Sequence, residues 1–108
     1  MARIAKRLAG PALVTNTAAT KYTVPALTKT IMRHVHIQNP SGAAVTFTMS
    51  IGADAAAVRL FDAYSIAAGT VLDHFCYYVI DVAEIVQALA GTTNILTLTI
   101  DGDEIVLG

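Results

Sequence analysis

The chain carries one cysteine, Cys76, no tryptophan, and charged side chains at only 14% of its 108 residues. A lone cysteine excludes any disulfide within the chain. Charge at this level lies well below the roughly 25% of an ordinary soluble domain, which is too little to coat a solitary, well-solvated monomer. No stretch approaches the ~20 consecutive apolar residues of a transmembrane helix, so no membrane partner is expected. A basic excess is missing too: seven Lys and Arg face eight Asp and Glu, for a net charge of −1. Nucleic-acid binding needs cations to displace counterions from phosphates, so DNA and RNA are not expected partners. The start, MARIAKRLAGPALV, sets Arg3, Lys6 and Arg7 ahead of apolar residues in the manner of a signal peptide. Gly10 and Pro11 break that run early, and the segment reads as mature sequence.

What is abundant is apolar: 55% of residues are hydrophobic, which rules out intrinsic disorder. Their spacing has period two. Val45, Phe47, Met49 and Ile51 alternate with Thr46, Thr48 and Ser50, and Leu96, Leu98 and Ile100 alternate with Thr97, Thr99 and Asp101. Each run is a strand with one buried and one polar face. In the run from Ile31 to Asn39, Ile31, Val35 and Ile37 share a face that Arg33 interrupts. Val71 to Ile80 is apolar on both faces, as in a covered central strand or one whose outer face lies in an interface. Shorter strands are expected over 13–17, 21–24, 58–61 and 104–107, and 82–89 suits a helical turn or a strand equally. Turns are read at Asn39-Pro40-Ser41-Gly42, as a hairpin, at 52–57, at Ala67-Ala68-Gly69-Thr70, at 91–94, and at Asp101-Gly102-Asp103, as a tight hairpin. Many short strands so punctuated predict an all-β chain: a single β-sandwich or jelly-roll-like domain over 21–108, with an extended N-terminal arm over 1–20. The arm is either frayed in isolation or docked on a neighbouring subunit.

Six of the seven basic residues lie at or before Arg33, and all eight acids at or after Asp54. Either the fold interleaves the two halves, or complementary patches meet between subunits. Sparse charge, the doubly apolar strand and the basic arm together predict a homo-oligomer, a trimer or a ring. Its contact residues are expected among Arg3, Lys6, Arg7, Phe75, Tyr77 and Tyr78.

Candidate chemistry is thin. His34 and His36, and His74 and Cys76, are two i, i+2 pairs that adjacent strands could assemble into a tetrahedral zinc site; structural or contact roles are the expectation, with no metal and no cofactor. Asp101, Asp103 and Glu104 lack the further ligands of a calcium loop. Asp73 and His74, neighbours on a strand, point to opposite faces and cannot act together. Nucleophile elbow, phosphate-binding glycine loop and HExxH are all missing, and no enzyme is expected.

From Tyr22 the run YTVPALTKTIMRHVHIQNPSGAAVTFTMSIGADAAAVRLF, continued by AAGTVLD at 67–73 and QALAGTTNILTLTIDGDEI at 87–105, resembles a family of small structural proteins of tailed bacteriophages. The resemblance rests on Tyr22-Thr23-Val24-Pro25, on Arg33-His34-Val35-His36-Ile37 with Asn39, on Ser50-Ile51-Gly52-Ala53-Asp54, and on the apolar strand after Ala68-Gly69. The leading AKRLAGPA at 5–12 also fits. Two departures stand out: Leu27 occupies a position where the family usually has glycine, and the family's acidic-glycine turn near Val82-Ala83 is missing. The resemblance implies a virion component with a β-sandwich or jelly-roll fold, assembled in the bacterial host cytoplasm. Its expected place is as a capsid decoration or head–tail junction protein, with major capsid or neck and tail proteins as partners. The alternatives are a phage tail or adsorption protein, or a carbohydrate- or receptor-binding module. The second is weakened by the lack of tryptophan and by Tyr77 and Tyr78 lying in an apolar strand.

Overall fold

The computed structural model describes residues 2–107; the end residues of the expected ranges, Met1 and Gly108, lie outside. Among the described residues eight strands are present: β1 (Ala2–Leu13), β2 (Ala19–Thr23), β3 (Thr28–Gln38), β4 (Val45–Ile51), β5 (Arg59–Ile66), β6 (Val71–Ile80), β7 (Ile85–Ala90) and β8 (Thr97–Val106). A single 3-10 turn, Ala56–Val58, precedes β5. The strands form two four-stranded antiparallel sheets, ordered β1-β8-β3-β6 and β2-β7-β4-β5.

The pairs β1·β8, β2·β7, β3·β6 and β4·β5 describe one long antiparallel hairpin rolled over on itself, with β3·β8 and β4·β7 closing the sheets. That is a jelly roll, the eight-stranded double-sheet sandwich. The alternating residues of β4 and β8 meet between the sheets: Phe47, Met49, Leu98 and Ile100 are almost fully buried, joined by Val35, Ile37, Ile66 and Ile80.

Rolling the hairpin explains the segregated charge. It lays the basic N-terminal strand beside the acidic C-terminal one, so Arg3 meets Asp103 at 2.7 Å and Lys6 meets Glu104 at 3.1 Å within the chain. Half-exposed pairs of this kind fix register more than they stabilise. The expected arm is corrected accordingly: residues 2–13 are an edge strand of the chain's own sheet, neither frayed nor free.

A bulge moves side chains between faces. Arg33 is an extra residue in β3 between the pairs Met32↔Gly102 and His34↔Asp101. The alternation therefore restarts, and Met32 joins Val35 and Ile37 in the core while His34 and His36 turn outward. Gly102 is the second correction. Asp101-Gly102-Asp103 is no hairpin, because β8 runs through it without a break, and 104–107 is no separate strand. A Cβ at Gly102 would collide with the Ile31 carbonyl oxygen and crowd the Leu8 side chain. The glycine serves close approach of backbones rather than a turn.

Asn39 and Pro40 also differ from expectation, since they carry the chain from one sheet to the other instead of closing a hairpin. The fully buried Asn39 side chain ties this arch, its amide donating to the Ala43 and Ile66 carbonyls at 2.9 Å each. Residues 14–18 leave the ladder, so the strand expected over 13–17 does not form, while the ambiguous 82–89 becomes a turn leading into β7.

Candidate functional site

The two sheets leave four edge strands, and three are defended against further pairing. Edge β1 carries Arg3, Lys6, Arg7 and a Gly10-Pro11 bulge region, β2 has five residues, and β5 carries Arg59 and Asp62. Charge, proline, bulges and shortness are the devices that keep edges from pairing with other chains. Strand β6 has ten residues, and Asp73 is its one acidic or basic side chain besides His74.

On β6 the residues alternate as the pleat demands. Leu72, Cys76, Tyr78 and Ile80 turn toward the core, and His74 goes with them. His74 meets Phe61 of the facing sheet edge-on at 5.1 Å and lies 3.3 Å from the Tyr78 hydroxyl, sealing that side of the sandwich. Burial pushes the Cys76 thiol above its ordinary pKa, and its Sγ lies 3.4 Å from the Met32 carbonyl. Val71, Asp73, Phe75, Tyr77 and Val79 face outward. Phe75 is 77% exposed, Tyr77 63% and Val79 50%.

This outer face is organised in rows across the sheet. In one row Arg3 of β1 and Arg33 of β3 both bond Asp103 of β8, at 2.7 and 3.3 Å, and the Arg33 guanidinium lies 6.0 Å from the Tyr77 ring centre. Hydrogen bonding from Arg3 holds the Asp103 carboxyl below its ordinary range against the opposing effect of burial. In the next row Asp101 of β8 lies 3.6 Å from His34 Nδ1, and His34 stacks flat on Phe75 with ring centres 4.5 Å apart. His34 Nε2 and His36 Nδ1 converge on one oxygen of Asp73, at 2.9 and 2.6 Å. Hydrogen bonds from His36 and then His34 hold the Asp73 carboxyl below its ordinary value.

The six expected contact residues therefore divide. Phe75 and Tyr77 share the exposed outer face. Tyr78 points inward and packs against the core. Arg3 and Lys6 are engaged in ion pairs within the chain, and Arg7 lies exposed opposite Asp101. The two i, i+2 pairs do not assemble: the pairings His34↔Phe75 and His36↔Asp73 leave His74 and Cys76 on the opposite face. Asp73 takes their place, and only knowledge that β3 pairs with β6 would have selected it.

A depression of about 210 Å³ between β5 and β6 is lined by Tyr64, Ser65, Ile66, Ala67, Thr70, Val71 and Leu72. It falls below the roughly 300–1,000 Å³ of small-molecule sites. Comparison with protein-family models, with curated proteins and with solved structures finds no match.

Proposed function

We propose that this chain is a structural component of a tailed-phage virion, a capsid decoration or head–tail junction protein that works by binding and not by catalysis. The observation that carries the reading is strand β6: a long edge strand, almost without charge, whose outward side presents Phe75, Tyr77 and Val79 to solvent. Exposed aromatics on a long edge with little charge suit burial against a partner. The first occupant is a second copy of the chain. A formal charge of −1 lets copies approach without strong mutual repulsion. Assembly as a trimer or ring multiplies a modest contact energy over many sites, and neighbouring capsid or neck proteins complete the contacts. The jelly roll is used for viral capsid and lectin domains alike. The resemblance at Tyr22 to Phe61 favours the virion over the lectin reading, and with it assembly in the bacterial cytoplasm.

Electron cryo-microscopy of intact particles tests this. The reading expects the chain in the particle at the head surface or neck, with β6 facing a neighbour. A chain missing from purified particles, or one seated with β6 open to solvent, contradicts it.

A further inference from the structure

The cluster formed by His34, His36 and Asp73 is no part of the hydrophobic core. It sits on the outer face, with side chains 23%, 36% and 45% exposed, away from the core. Yet it is built with care. Each residue offers one ligand atom, and those atoms all lie within 4.8 Å of one another. The β3 bulge at Arg33 sets both imidazoles on this face, and the β3–β6 register sets Asp73 opposite His36.

From this arrangement we infer that His34 Nε2, His36 Nδ1 and the Asp73 carboxylate form a binding site for a divalent transition-metal ion of the zinc type. Two imidazoles and a carboxylate are a common three-ligand set for such ions, leaving a fourth position for water or an outside donor. Nitrogen donors disfavour calcium and magnesium, which prefer all-oxygen shells. Donors about 2.0–2.2 Å from a tetrahedral ion stand about 3.3 Å apart. Asp73 must therefore retreat by roughly half an ångström from the imidazoles, and the two ligating nitrogens, within 4.8 Å of each other, must close toward that spacing.

Two further contacts do what partners of metal ligands do. Asp101 lies 3.6 Å from His34 Nδ1, the nitrogen that does not face Asp73. At that distance it is a charge contact and not a hydrogen bond; a carboxylate there favours a proton on Nδ1, which leaves Nε2 to ligate. Phe75, stacked at 4.5 Å and 7° on the same ring, fixes its plane. The site needs nothing from the assembly reading and stands or falls separately.

The test is calorimetric titration of tag-free, chelator-stripped protein with zinc chloride, alongside the visible spectrum of the cobalt-loaded protein. One ion per chain is expected, with the absorption of four-coordinate cobalt. Asp73→Ala and His36→Ala should abolish binding while circular dichroism stays unchanged. Asp101→Asn should weaken it by about 10–100-fold. His74→Ala, on the other face, should bind as wild type. Failure to bind one ion per chain overturns the site. So does binding that survives Asp73→Ala and His36→Ala, or binding lost in His74→Ala.

Discussion

Replacing Tyr22 with phenylalanine removes one oxygen from the polar contact that joins the two sheets. Tyr22 lies on β2 of one sheet, and its hydroxyl bonds Glu104 of β8 and, at 2.7 Å, the Thr30 hydroxyl of β3 in the other. All three residues are buried. A hydrogen bond to a charged group contributes about 1.5–3 kcal/mol, and a buried acceptor stripped of its donor costs at least as much. Glu104 keeps Lys6 at 3.1 Å, so the expectation for Tyr22→Phe is the middle of that range, about 2 kcal/mol. For a domain near 100 residues this lowers Tm by about 8–16 °C. Urea unfolding at neutral pH measures it, with the midpoint falling and the slope unchanged. The alkaline limb supplies a second readout. Burial, with the bond to Glu104, pushes the Tyr22 phenol up to about 12 from 10.0. A folded value above the unfolded one means stability that is whole below pH 10.0 and lost as pH rises through about 12. Tyr22→Phe should lack that loss. A variant within about 0.5 kcal/mol of wild type, or one with the same alkaline limb, refutes the reasoning.

Three other outcomes follow from particular contacts. Gly102→Ala drives a methyl group into the Ile31 carbonyl and should destabilise by about 1–3 kcal/mol, measured by urea unfolding; wild-type stability would mean that β8 and β3 are not so close. Leu27 sits at φ 55, exposed, where a glycine carries no steric penalty. Relief of about 1–2 kcal/mol, less the added freedom of the unfolded chain, makes Leu27→Gly neutral or stabilising, and a clear drop in Tm would contradict this. In acid, Asp103, Asp73 and Asp54 have folded values below the ordinary 3.8, held there by Arg3, His36 and Arg59 in turn. Burial pushes Glu104 up, but Tyr22 and Lys6 outweigh it and leave it below 4.5. Stability should therefore be whole above about pH 5 and fall as pH drops through those lowered values, with Arg3→Gln shrinking the loss in a thermal titration.

The two-residue periodicity was enough to place the core. Phe47, Met49, Leu98 and Ile100 lie between the sheets where their alternation puts them, and the doubly apolar run at 71–80 is a strand to the residue. What single-sequence reasoning missed is non-local. Arg3 and Lys6 read as an unpaired basic arm because their partners, Asp103 and Glu104, are about a hundred residues away. Asp101-Gly102 read as a turn because local chemistry favours one there, whereas the backbone of β3 requires the glycine. The bulge at Arg33 reset the alternation of β3, so Met32 went inward against its apparent parity. Leu27 and Ala83 both take left-handed backbone conformations, φ 55 and 64. Those are positions at which glycine is the relaxed choice.

Sedimentation velocity at micromolar concentration, on the wild type and on a Phe75→Asp, Tyr77→Asp double variant, addresses self-association through β6 most directly. Both side chains are exposed in the single chain, so the variant should fold and melt like the wild type. Contact-centre aromatics typically carry at least about 2 kcal/mol each, and two carboxylates there should abolish the contact. The expected result is a wild-type trimer or ring and a folded, monomeric variant. A wild type that sediments as a clean monomer, or a variant that sediments as the same oligomer, contradicts the account.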